Sequence, residues 1–414
     1  MAMTESLAAG ETPISDSWLV RNKKWIVAFV LFGMYASFGM SWMGVVPLRE
    51  VLNQFLEIDN AAGQRLFSIV SMAKSIVPIL AGILAGRWGL TNTMRLSAVL
   101  IMTGLLIPFL PGYWAWVGLK FLFGVGGAIW VTLMGAVTMQ VFEAKQRPLI
   151  NAVNGVAITV GIILSLKLTL PLTAAFGGNW KLTLALYSLI SAFFMLLLFL
   201  TGDLTPPAAV SAPAISLRDT LKAYAGTLKL PVTWVTSVGF FGPLALFLVL
   251  SYWLPVYYQD NVGIPKAQTL GLMIWMNLGA IVGAVGTGLL LQKFGKTKPF
   301  ILAAALLTPA ASLGCLFVGD KGLLPLILFL TGVGLFISVS PLITLLQSQP
   351  GLNPATVGMI LGTMFSFTYI ASYMAPETVA LLTKSGTPLQ LVLAAFCLTT
   401  ISPAAGLLLP EKQA

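Results

Sequence analysis

Again and again this chain runs for about twenty residues with hardly a charge, breaks over a short polar stretch, and runs again. At about 1.5 Å of rise per residue, a helical run of that length crosses a hydrocarbon layer about 30 Å thick. Laid along the sequence, this ruler marks twelve spans: 25–47, 63–86, 94–111, 113–141, 149–172, 182–201, 233–257, 268–291, 299–318, 323–347, 355–382 and 388–409. Of 414 residues 57% are hydrophobic and 9% charged, too little polar surface for a water-soluble fold of this size. The expected fold class is therefore all-α and polytopic, with twelve transmembrane helices in a lipid bilayer. The first run is too long for a signal-peptide core and no small-residue cleavage site follows it, so it reads as a retained helix.

The charges sort by side of the membrane. With both termini cytoplasmic, the inner loops and tails hold 14 basic residues, among them Arg87, Arg95, Lys293, Lys296 and Lys298. The outer loops hold 6: Arg49, Arg65, Lys181, Lys266, Lys321 and Lys384. This bias fits the positive-inside rule and accounts for most of the +10 net charge. It leaves no aromatic-interleaved basic patch for nucleic acid, and points to a multi-pass protein of the plasma (bacterial inner) membrane. The chain has no His, which removes imidazole metal ligands, His general bases and Ser-His-Asp arrangements. Cys315 and Cys397 lie inside apolar runs and form neither a disulfide nor a zinc pattern. No metal or cofactor is expected, and with no nucleophile–base pair the chain does not read as an enzyme.

The two halves repeat each other. Gly82-Ile-Leu-Ala-Gly-Arg87-Trp88-Gly89 after span two returns 206 residues later as Gly288-Leu-Leu-Leu-Gln-Lys293-Phe294-Gly295 after span eight. Lys120-Phe-Leu-Phe-Gly124-Val-Gly126 in span four returns as Leu328-Phe-Leu-Thr-Gly332-Val-Gly334 in span ten. An even number of spans per half keeps the copies parallel, about an axis normal to the membrane. The organisation expected is a cytoplasmic tail (1–24), a six-helix bundle (25–201), a cytoplasmic linker (202–232) and a second six-helix bundle (233–414). In the linker, Leu217, Leu221, Tyr224 and Leu228 recur at helical spacing after a Pro-rich stretch. That reads as an amphipathic helix on the inner leaflet, or else as a plain solvated linker.

These residues also carry a resemblance. Gly82, Leu84, Ala85, Arg87, Trp88, Gly89 and Arg95 resemble the signature loop between spans two and three of the major facilitator superfamily. Gly86 stands where that family usually has an acid, which weakens the salt bridge expected from this loop. Lys120 with Gly124 and Gly126 resembles the family's Arg-x-x-x-Gly-x-Gly motif in span four, and Asn179-Trp180-Lys181 its Gly-Trp-Arg. The resemblance covers nearly the whole chain. It implies a fold of two parallel-repeat six-helix bundles and transport by alternating access. It also implies a cytoplasmic gate motif at Gly82, Arg87, Gly89 and Arg95, repeated at Lys293 and Gly295. The family's drug/proton antiporters are Gly-Pro-rich in span five; here Gly155 and Gly161 occur there with no Pro before Pro171, which disfavours multidrug export.

An ionisable group inside the bilayer marks a functional candidate. Lys74 in span two, Lys120 in span four and Lys167 in span five fall between the midplane and the outer third, all in the first half. Their repeat-equivalents are Ala280, Leu328 and Tyr373. Three ammonium groups at one level with no acid among them call for a bound anion; the bland alternative is that one or two, Lys167 first, snorkel to the outer headgroups. Tyr35, Ser37 and Trp42 of span one, Tyr252 and Trp253 of span seven, Trp275 and Asn277 of span eight, and Tyr369 of span eleven are candidates to complete the substrate site. The alternative for each is helix packing. Glu377, the one acid well inside a span, is either a proton carrier or the partner of Arg65 in an outer gate. The function expected is secondary transport of a small organic anion, carboxylate or sulfonate, coupled to a proton or cation such as sodium. The chain would work as a monomer. The alternative is proton-driven efflux of amphipathic compounds.

Overall fold

A computed structural model describes residues 18–143, 146–204, 222, 225–352 and 354–411. The tail 1–17 and most of the linker, with Leu217, Leu221 and Tyr224, lie outside the described residues. Among the described residues the chain is helical throughout, and eleven helices are long and apolar enough to cross a membrane. The twelfth, span two (Asn60–Trp88), has the length at 29 residues but carries Arg65, Lys74 and Arg87. The other spans are Trp18–Met43, Leu90–Ile101, Tyr113–Val141, Arg147–Ala175 and Trp180–Leu200 in the first half. The second half holds Pro231–Asp260, Lys266–Phe294, Lys298–Phe317, Leu324–Ile337 continued by Val339–Gln347, Pro354–Lys384, and Leu389–Leu398.

Three spans are less regular than the apolar runs predict. Span three ends at Ile101 and continues as 3₁₀ turns over Met102–Leu105 and Ile107–Phe109, with Pro108 inside the second. Span ten is interrupted at Ser338, three residues before Pro341. Span twelve passes into a 3₁₀ helix over Thr399–Leu408 that contains Pro403. Each of these stretches has a proline within or shortly after it, which removes one backbone donor and crowds the preceding turn. A short helix, Arg49–Leu56, also forms in the first connection, where the sequence showed only a loop.

The repeat holds in geometry. A Cβ on Gly124 would meet the span-two backbone at Val70 Cα (2.9 Å), and one on Gly126 would meet span three at Ile101 N (2.7 Å). In the second copy, Gly332 stands against span eight at Met276 O (1.9 Å) and Gly334 against span nine at Thr308 Cα (3.0 Å). Each Gly-x-Gly is thus a notch that lets one helix touch two neighbours. In lipid, where apolar burial drives no association, such close backbone approach is a main source of packing energy. Gly89 (φ 81°) and Gly295 (φ 66°), 206 residues apart, end span two and span eight with positive φ, which glycine adopts without strain.

Spans one and five, two and four, seven and eleven, and eight and ten pack within the halves; spans two and eleven, and five and eight, pack between them. The end bearing Arg49, Glu50 and Lys266 is called outer, after the charge count. There, Lys266 Nζ reaches Glu50 Oε2 (2.6 Å), Arg65 Nη2 reaches Glu377 Oε2 (3.4 Å) and Arg49 Nη2 reaches Asp260 Oδ1 (3.8 Å), all between halves. Among the described residues no ion pair joins the halves at the opposite end.

Candidate substrate site

Span two delivers Lys74 to the interface between the halves. Its side chain is 1% exposed. Nζ lies 4.5 Å from the ring centre of Trp42, 5.0 Å from Phe38, 5.6 Å from Tyr35 and 5.6 Å from Tyr369. Tyr35, Phe38 and Trp42 sit three and four residues apart, so span one presents all three on one face. Tyr369 comes from span eleven, across the interface. Trp42 is held by an Nε1–H bond to Phe67 O (2.9 Å). Each ring face offers partial negative charge to an ammonium group, which steadies Lys74 without neutralising it.

Lys74 borders two adjoining chambers, of about 270 Å³ and about 280 Å³, which also share Val131, Phe365 and Tyr369. The first is walled by Met134, Ile158, Ile162, Pro243, Phe247, Leu335 and Phe336, with Asn154, Thr159 and Ser338 as its other polar side chains. Asn154 is 3% exposed and its Nδ2 has no hydrogen-bond partner among the described residues. The second chamber runs past Pro78 and Thr132 to Gly358, four residues into span eleven, and so extends toward the inner end. No carboxylate lines either chamber among the described residues.

Of the residues singled out in the sequence, Tyr35, Trp42, Lys74 and Tyr369 meet here. Others do not. Lys120 is 2% exposed but borders a separate small pocket in the first half, where Nζ donates to Ser41 O (3.3 Å). The rings of Phe38 and Phe123, stacked 4.4 Å apart, stand between the two ammonium groups: Lys74 lies over one and Lys120, at 5.7 Å, over the other. Lys167 is exposed on the outside of span five. At about 100° per residue it points about 150° away from the Asn154–Ile162 face. Counting depth along a helix takes no account of rotation about it. The expectation that three lysines converge is therefore corrected to one.

Trp275 is 45% exposed and lines neither chamber. Asn277 is buried and its amide returns to Met273 O (2.9 Å), one turn back. Ser37 donates to Met34 O and accepts from Ser191 Oγ, a packing role. Tyr252 and Trp253 lie nearer the outer end, where Tyr252 Oη donates to Asn60 O (3.2 Å) and Trp253 Nε1 to Pro376 O (3.2 Å).

Glu377 and Arg65 pair as one of the two readings required, and Ser68 Oγ adds a bond to Glu377 Oε1 (3.3 Å). Of the inner-end motif, Arg87 and Lys293 are exposed, Lys293 lying over the Phe294 ring. Arg95 binds Gly202 O (3.2 Å) and stacks on Phe199 within its own half. Gly82 has open space around it. Sequence reasoning passed over Asn154, an amide in an apolar run, and Phe38, whose spacing from Tyr35 and Trp42 was its signal. It also missed the outer pairs Lys266–Glu50 and Arg49–Asp260, which depend on how two distant loops meet.

Burial pulls the Glu50 carboxyl up, but the hydrogen bond and charge of Lys266, with Arg49, carry it below the ordinary value.

Comparison with known proteins agrees with this architecture. The family model for the Major Facilitator Superfamily matches residues 27–376. An uncharacterized protein of Campylobacter jejuni is 27% identical over 241 residues, covering 58% of this chain and 73% of that one. A probable nitrate transporter of Staphylococcus haemolyticus is 26% identical over 270 residues, covering 64% of this chain and 66% of that one. The match thus spans just under two thirds of the nitrate transporter's length. Among solved structures, a D-xylose-proton symporter superposes with a TM-score of 0.72 at 15% identity, covering 94% of this chain and 98% of that one. The nucleoside transporter NupG gives 0.73 at 14%, covering 92% and 98%. At such identities these structures speak to the fold alone.

Proposed function

The chain belongs to the Major Facilitator Superfamily, and on that premise we propose that it carries a small organic anion, of carboxylate or sulfonate type, across the membrane by alternating access. It is a multi-pass membrane transporter, not an enzyme. One observation carries the choice of cargo: Lys74 is a buried cation on the wall of a cavity shared by both halves, with aromatic faces around it and no acid beside it. A buried charge without a partner is costly, and an anion entering the chamber supplies the partner. One cation calls for a singly charged guest. The apolar walls and the combined room of the two chambers favour an anion with an organic body over a bare oxyanion. The hydroxyls of Tyr35 and Tyr369 and the free amide of Asn154 are donors for its oxygens.

The outer pairs close the far side of the cavity and the second chamber extends toward the inner end, which supports an inward-facing state; the charge bias of the loops supports both termini in the cytoplasm of a bacterial cell. Glu377 serves the outer gate in this reading: Arg65 and Ser68 hold its carboxylate. Coupling to a proton or sodium ion then uses the same opening and closing. The protein works as a monomer, each chain supplying both halves. Efflux of amphipathic compounds would use the apolar walls but leaves Lys74 without a counter-charge. The names of the staphylococcal relatives make nitrate the anion to compare against.

Counterflow in proteoliposomes tests the reading, with a panel of labelled monocarboxylates, sulfonates and nitrate. One organic anion class should exchange, and Lys74→Ala should abolish that exchange. Exchange of nitrate alone would replace the organic cargo with an inorganic one; no anion exchange at all would sink the reading.

A further inference from the structure

Lys120 borders a cavity of about 10 Å³ walled by residues of the first half alone. That is room for about one water-sized or monatomic guest. Three polar side chains face it, Lys120, Ser41 and Ser188, and the rest of its wall is apolar. Lys120 spends one of three ammonium protons on Ser41 O, at 3.3 Å, and makes no ion pair among the described residues. Ser41 is 8% exposed and its Oγ has no partner among the described residues. Ser188 Oγ makes a long 3.5 Å bond to Leu184 O. Two ammonium protons of Lys120 and the Ser41 hydroxyl thus remain as unused donors beside a buried positive charge, which an anion can accept from. Gly104 keeps the space open: a Cβ there would stand 3.0 Å from Ser188 Oγ and 3.3 Å from the Phe123 ring.

We propose that this pocket binds one monatomic inorganic anion of halide size, chloride under ordinary conditions, as a fixed constituent of the first half. The stacked rings of Phe38 and Phe123 separate it from the Lys74 chambers, so the halide is not the transported anion and the proposal does not rest on the transport reading.

Thermal unfolding of the purified protein tests it, in gluconate buffers of constant ionic strength with chloride or bromide titrated in. The midpoint should rise along a one-site curve, the folding equilibrium shifting about 100-fold at halide about 100 times its Kd. Lys74→Ala should keep this response. Lys120→Met should lose it, and Gly104→Ala should weaken halide affinity at least tenfold. If Lys120→Met does not fold, anomalous scattering from bromide-soaked crystals of the unmutated protein decides, with a peak expected against Lys120 Nζ and Ser41 Oγ. A flat halide response in the unmutated protein, an unchanged response in a folded Lys120→Met, or water alone at that position would overturn the proposal.

Discussion

Lys74 and Lys120 are equally buried, belong to the same half and lie on either side of one pair of stacked rings, yet their surroundings differ. Lys74 borders chambers walled by both halves, so rocking of the halves changes what it meets. Lys120 borders a pocket walled by the first half alone, so the same motion leaves its neighbours in place. Burial of a charge marks a candidate; which body supplies the opposite wall decides whether that charge takes part in transport or in holding one body together.

The largest effect expected is loss of at least about 100-fold in counterflow for Lys74→Ala, the scale of one charge-assisted contact removed from a buried site. Lys120→Met should lower transport by less than about tenfold while altering thermal stability more. Equal losses at the two positions would break the contrast. Next comes the partition itself. Phe38→Ala opens the wall between the lysines and removes one ring beside Lys74, and should cost about tenfold in transport. It should also make halide sensitivity of transport appear where the unmutated protein shows none.

The outer gate sharpens the contrast in another way, because opening it should expose Lys74 and not Lys120. Arg65→Glu and Glu377→Arg should each lower exchange by about tenfold, and the double swap should restore it to within about threefold of the unmutated protein. No rescue would remove Glu377 from the gate and return the proton-carrier role to it. Reactivity of a cysteine placed at Val131, on the wall of both Lys74 chambers, toward an impermeant outer reagent should rise in the single mutants. A cysteine at Leu184 should stay silent.

The smallest effect concerns Glu50 and Lys266 at the rim. Because its carboxyl is held below the ordinary value, Glu50 stabilises the closed outer end above the unfolded-state pKa, and that contribution is lost as pH falls through the lowered one. Acid should therefore favour outer opening, by no more than about threefold for so exposed a pair, and Glu50→Gln should flatten that dependence.

Much of this was legible in the sequence for a definite physical reason. Lipid demands long uncharged helices, so the spans, the repeat and the paired Gly-x-Gly notches stand out in one dimension. The partnership of Arg65 with Glu377 was legible too, since residue counting puts both near the outer level of facing spans. What one dimension lacks is rotation about a helix axis. Lys167 and Trp275 are exposed on faces turned away from the chambers, and no periodicity in an all-apolar helix tells the two faces apart. The breaks at Ser338 and after Ile101 were hidden for a related reason, since hydropathy is blind to a change of helical pitch.

The repeat has one further consequence. Ala280 and Leu328 stand where the first half has Lys74 and Lys120, so the buried lysines belong to one copy alone. On the proposed reading, preference for negative charge resides in one copy, while Leu335, Phe365 and Tyr369 of the other copy set the size and shape that fit. Cargo range in such a protein is adjustable by changes in the second copy that leave the sign of the cargo untouched.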